Sequence, residues 1–212
     1  MKNLFKFIGH YWKAVIAIVA ILAVQAYCDL SLPAYTSDIV NVGIQQGGIE
    51  DKVPAAISEE EWNKVMLFVS QKDQDTVKDA YEKDESSYDK TAFVLKDFVK
   101  EDETALKKVE DVLALPMMVT SGFESGSKQT QKMEKKLKKQ IPKEMLTEDT
   151  TVFDILQMMP QESREELVKE IKKEMKDMPD MILEQAAVSY ARNAYQDLGM
   201  DVDQMQYHYL FT

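Results

Sequence analysis

Residues 12–33 read Trp12-Lys-Ala-Val-Ile-Ala-Ile-Val-Ala-Ile-Leu-Ala-Val-Gln-Ala-Tyr-Cys-Asp-Leu-Ser-Leu-Pro33. Eleven consecutive apolar residues, Ala14 to Val24, form the centre of this stretch. Ala26, Tyr27, Cys28, Leu30 and Leu32 carry the apolar character on to Pro33, with Gln25 and Asp29 as internal polar groups. A helix of roughly 20 residues crosses the hydrocarbon layer of a bilayer, so the stretch predicts a membrane-spanning helix. Everything after it must then lie on one side of a membrane.

Charge chooses the side. Lys2, Lys6 and Lys13 are the basic residues of the first 28 positions, and all three lie before the apolar run. The positive-inside bias keeps such an N-terminus in the cytoplasm and sends the remainder outside. From Asp29 onward, 23 Lys and Arg stand against all 37 acids. Long segments translocate largely regardless of their own charge, so this acidity does not oppose the assignment. It does argue against nucleic acid as a partner, because phosphate binding wants the opposite sign. The single cysteine, Cys28, lies in the apolar run and excludes an intrachain disulfide. An extracytoplasmic domain without disulfides fits a bacterial cell membrane.

The expected fold class is all-α, with one transmembrane helix followed by a compact helical extracytoplasmic domain. Gly and Pro are scarce, at 7 and 6, while residues that lose little rotamer freedom in a helix dominate. Four regions follow: a cytoplasmic segment 1–11, the membrane helix and its outer extension 12–44, the helical domain 45–205, and residues 206–212. Within the domain, Ser58-x-x-Glu61 is a capping box opening a helix that carries Trp62, Val65 and Phe68. Thr91 to Lys100 reads as a helix with Phe93, Val94, Phe98 and Val99 on one face. Glu103 to Leu115 repeats apolar residues at helical spacing and stops near Pro116. Ser121 to Ser127 reads as a loop, and Lys128 to Gln140 as a basic helix. Thr151-x-x-Asp154 caps a short turn, Ser163-x-x-Glu166 caps the next helix, and a last helix runs from Pro179 to Leu198, closed by Gly199. Tyr207, Tyr209, Leu210 and Phe211 make the final residues aromatic and apolar. They read either as the start of a second membrane helix or as a segment docked on the domain.

Two features of the first helix exceed what an anchor needs. Ala14, Ala17, Ala20, Ala23 and Ala26 recur every third residue, and small residues allow close helix packing in lipid. Gln25 and Asp29, four apart, share one face, and polar groups at membrane depth favour a bundle interior or a wet path. Ala17, Ala20 and Ala23 are therefore helix-packing candidates, and Gln25 and Asp29 translocation-path candidates. The run from Trp12-Lys-Ala through Cys28-Asp-Leu-Ser-Leu-Pro-Ala-Tyr-Thr-Ser-Asp-Ile-Val-Asn-Val-Gly-Ile44 resembles the first transmembrane helix of ATP-binding-cassette exporters. The resemblance rests on Asp29, Leu30 and Pro33, then Ser37, Asp38, Ile39, Val40, Gly43 and Ile44, within about 40 residues. It implies an ATP-driven exporter working as a homo- or heterodimer of half-transporters, its first helix packed among others along the path. The family's short external loop is replaced here by some 160 residues, from Gly47 to Tyr207. Such a helical insertion is expected over the translocation exit.

The motor domain is not in this chain, so ATP and Mg are expected elsewhere and no cofactor is expected here. Gly122 to Gln129 imitates a phosphate loop, but its second Gly comes one place early and Gln129 stands where a Mg-binding hydroxyl belongs. Asp73, Asp75 and Asp79 imitate a calcium loop that lacks its turn Gly and final Glu. His10 and His208 stand at opposite ends, and no acid-base dyad or metal cluster emerges, so the chain itself is not expected to be an enzyme. Lys128, Lys132, Lys135, Lys136, Lys138, Lys139 and Lys143 read as a solvated face, with anionic lipid headgroups as the rival partner. The alternative to the exporter is a secreted or anchored helical binding protein. Residues 1–26 would then be a signal peptide cleaved after Val24-Gln-Ala26.

Overall fold

A computed structural model describes residues 12–140 and 150–211. The apolar stretch is helix α1, Trp12–Asp38, whose 27 residues span about 40 Å at 1.5 Å each. Pro33 lies inside it. Close by, the Ser31 hydroxyl donates to the Tyr27 carbonyl and the Thr36 hydroxyl to the Leu32 carbonyl, both at 2.8 Å. Such back-bonds satisfy polar groups locally where a surrounding medium offers none. Ile39–Gln45 continues the rod as a π-helical segment. Gly47 and Gly48, with φ of +67° and +75°, then turn the chain out of it.

Helix accounts for 73 % of the structure and strand for 6 %, so the mostly helical expectation holds while strict all-α does not. The exception is a three-stranded antiparallel sheet in the order β1–β3–β2. Its strands are β1 Ala56–Ser58, β2 Tyr81–Asp84 and β3 Ala92–Leu95. The helix expected over Thr91–Lys100 is thereby corrected. Ala92–Leu95 is the central strand, and only Asp97–Glu101, helix α4, is helical. Phe93 and Val94 suit a pleated surface as well as a helix face, and pairing on both sides decides the choice. Val94 sits opposite Ala56 on one neighbour and Glu82 on the other.

Helices α2 Glu59–Met66, α3 Gln71–Ala80, α5 Glu103–Glu124 and α9 Asp180–Asp197 surround the sheet. The Ser58 hydroxyl accepts from the Glu61 backbone N–H, as its spacing predicts. Trp62 stacks on Phe93 at 4.5 Å between ring centroids, and Tyr81 tilts against Trp62 at 4.9 Å. α5 continues through Pro116 for two further turns, absorbing Ser121–Glu124 of the expected loop. Pro116 is buried, and the Thr120 hydroxyl donates to its carbonyl at 2.9 Å. Burial of Met117, Val119 and Thr120 outweighs the bond that proline removes.

A second cluster joins α6 Lys128–Gln140, α7 Val152–Met158 and α8 Gln161–Glu174 to the far end of α5. Phe68, Phe123 and Phe153 meet at its centre. The Thr151–Asp154 capping box forms, whereas α8 starts behind Pro160, two residues before the expected Ser163. The segment before the sheet is tied down by buried tyrosines. Tyr81 donates to the Pro54 carbonyl at 2.8 Å, and Tyr195 donates to Asp51 at 2.7 Å while accepting from the Ala55 amide at 2.8 Å. Helix α10, Val202–Phe211, ends the described chain.

Candidate functional site

α1 is exposed along the whole of its apolar span. Leu30 is 81 % exposed, and Ile16, Val19, Ile21, Leu22 and Val24 are exposed with it. Such a surface is too large for water and marks an apolar surrounding or a helical partner. Gln25 and Asp29 are exposed on one face, and Ala17, Ala20 and Ala23 are exposed elsewhere. At about 100° per residue the centre of the alanine row lies roughly 160° round the helix from the Gln25–Asp29 pair. The two sets therefore address different neighbours.

The rod's C-terminal end meets the end of the described chain. Gly43 faces Leu210 and Tyr209 so closely that a β-carbon there would lie 2.4 Å from a Leu210 methyl. Gly48 faces the backbone of Gln206, where a β-carbon would fall 2.7 Å from Cα. The Gln206 amide donates to the Gly43 carbonyl at 2.8 Å. Rising numbers on the rod meet falling numbers on α10, so the two helices run antiparallel. The final segment thus docks on the rod's π-helical end, while Val202 and Met205 at its start pack against Val188, Ala191 and Tyr195 of α9. The outward face of α10 carries Tyr207 tilted against Phe211 at 4.5 Å between ring centroids, and Phe211 is 72 % exposed. Tyr35 and Trp12 are also exposed on α1.

Inside the domain the densest charge cluster surrounds Lys64. Its ammonium lies 3.1 Å from Glu60, 2.5 Å from Glu61 and 3.0 Å from Glu124, and 5.5 Å from the Phe153 ring centre. Burial by itself lowers the Lys64 pKa, but the hydrogen bonds to Glu61, Glu124 and Glu60 outweigh it and hold it above the ordinary lysine range. Burial raises Glu124, with Lys64 opposing. Glu61 also accepts from the Tyr190 hydroxyl at 2.7 Å. One ammonium ties three carboxylates together, and with Tyr190 the cluster knits α2, α5 and α9, a packing role.

The imitations of other sites resolve into structure. Gly122 lies within α5, and Gly126, at φ +63°, makes the corner into α6, so a helix stands where a phosphate loop has a strand. Asp73 lies on α3, bonded to Ser70 and to Lys172 at 3.3 Å. Among the described residues no group of three or more His, Cys, Asp or Glu could hold a metal ion. His10 and Lys143 fall outside the described residues. On α6, Lys132, Lys135 and Lys136 are exposed, and Lys138 pairs with Glu134 at 2.7 Å.

Sequence reasoning missed the junction. Its signals were Gly43, read as part of the exporter-like pattern, the Gly47-Gly48 pair, and Arg192, one of two arginines among 26 basic residues. No family model matches this chain, and neither a curated protein nor a solved structure matches it.

Proposed function

We propose that this chain is the N-terminal membrane and extracytoplasmic part of an ATP-driven exporter permease of the ATP-binding-cassette type. α1 is its first membrane helix, its N-terminus cytoplasmic, and the domain stands over the exit of the translocation path. Ala17, Ala20 and Ala23 pack against neighbouring helices of the transporter or its second half, while Gln25 and Asp29 turn toward the path. Nucleotide chemistry belongs to a separate domain.

One observation carries the reading: the domain leaves the rod at Gly47–Gly48 and returns to it at Met205–Leu210, antiparallel. That is the geometry of an insertion between two helices of one membrane bundle, and a free-standing anchored domain has no need of it. The test is extraction and processing in a bacterial membrane. The expected product keeps Met1, leaves the membrane only with detergent, and is labelled from outside by an impermeant maleimide at Gln161→Cys. A mature N-terminus at Tyr27 with a buffer-soluble domain establishes the secreted alternative instead. Disulfide crosslinks through Ala20→Cys, but not through Ile18→Cys, identify the alanine face as the packed one.

A further inference from the structure

A crevice of about 550 Å³ opens where the π-helical end of the rod meets α9, lined by Asn41, Gln46, Met181, Glu184, Gln185, Val188, Ser189 and Arg192. We propose that it is a phospholipid headgroup site, taking the phosphodiester of a zwitterionic, amine-bearing lipid. This assignment rests on the placement of α1 in a bilayer proposed above.

Arg192 supplies the charge. Its guanidinium lies against Gly47, where a β-carbon would be 3.2 Å from Cζ, so the missing side chain makes room for the fork. Its ion pair with Asp203 is long, at 3.9 Å, and Asp203 is 88 % exposed, which leaves the fork available. A planar guanidinium matches phosphate oxygens in a way an ammonium does not, and here it stands in a chain that uses lysine almost everywhere else.

The other walls fit the same ligand. Gln185, Ser189 and Arg192 lie at successive turns on one face of α9, and Asn41 and Gln46 approach from the rod. Their amides and hydroxyl are neutral donors for phosphate and glycerol oxygens. Glu184 bears the opposite sign and is held by Lys52 at 2.8 Å. Beside a phosphate on Arg192, its carboxylate suits the ammonium of the same headgroup. The excess of acids over bases in the chain disfavours a net-anionic lipid. Met181, 68 % exposed, gives the crevice an apolar edge at which acyl chains can begin.

Native mass spectrometry of the full chain in a non-ionic detergent, titrated with dioleoylphosphatidylethanolamine, tests this. One retained lipid is expected, weakened at least about tenfold by Arg192→Gln, as loss of a charge-assisted bond implies. Arg192→Lys should recover part of the affinity, and Gln185→Ala should weaken it about threefold while leaving the Arg192–Gly47 contact intact. Equal retention of dioleoylglycerol, which lacks the phosphate, overturns the proposal. So does retention indifferent to both Arg192→Gln and Gln185→Ala, or displacement by inorganic phosphate at equal concentration, which identifies a soluble anion instead. Detergent dependence of extraction reads the bilayer placement separately, so a membrane-bound chain without lipid selectivity fails here alone.

Discussion

Gly48 and Gly199 have the same φ, +75°, but unlike surroundings. A β-carbon on Gly199 meets nothing within 4 Å, whereas on Gly48 it meets the Gln206 backbone. Gly199→Ala should therefore cost only the left-handed penalty, about 1–2 kcal/mol. Gly48→Ala should cost that and a further ~1–3 kcal/mol, because backbone rather than a flexible side-chain tip must yield. Urea unfolding of the detergent-solubilised chain separates them, and equal losses would mean that α10 does not rest on Gly48. The same scale explains why the junction escaped sequence reading. A glycine pair after a helix is an ordinary stop signal, and nothing local reveals that residue 206 lies against it.

At the scale of elements, caps and periodicity were legible wherever the cause is local. The boundary of α7 follows from Thr151 and Asp154, whose reciprocal bonds close its first turn. Thr151→Ala should destabilise the domain by about 1 kcal/mol. Bonds from the Thr151 hydroxyl and amide hold the Asp154 carboxyl below the ordinary aspartate range. With the folded pKa depressed, that contribution is complete above the unfolded value of about 4 and is lost as pH falls through the folded one. Asp154→Asn should flatten the acid limb of stability against pH between about 4 and that lower value. Unfolding midpoints measured down the acid range read it, and an unchanged slope would count against the box. Elements decided at a distance were not legible. Phe93 and Val94 fit either helix or strand locally, and β3 exists because β1 and β2 flank it. Pro116 reads as a stop by local rules, yet burial between α5 and its neighbours carries the helix past it.

On the scale of the whole molecule, the rod and the domain divide the chain's surface chemistry. Exposed apolar area concentrates on α1, while the domain closes its own cores with tyrosines and ties its carboxylates together through Lys64. A chain lacking residues 1–45 should stay in the supernatant after high-speed centrifugation, and the full chain should pellet with membranes. Sedimentation of the shortened chain would show that α10 and its Tyr207–Phe211 face bind lipid without the rod. The rod was legible because eleven unbroken apolar residues admit few readings. The small sheet and the antiparallel return were not, since each is a pairing between segments far apart in the chain.

The contact between Gly48 and Gln206 has one last consequence, for inheritance and engineering. Entry and exit of a body of about 150 residues sit at touching distance. The whole head is accordingly a detachable module. Replacing residues 49–204 with a tight turn of a few glycines should leave the flanking helices in their mutual register, and an unrelated fold with adjacent termini should graft there equally well.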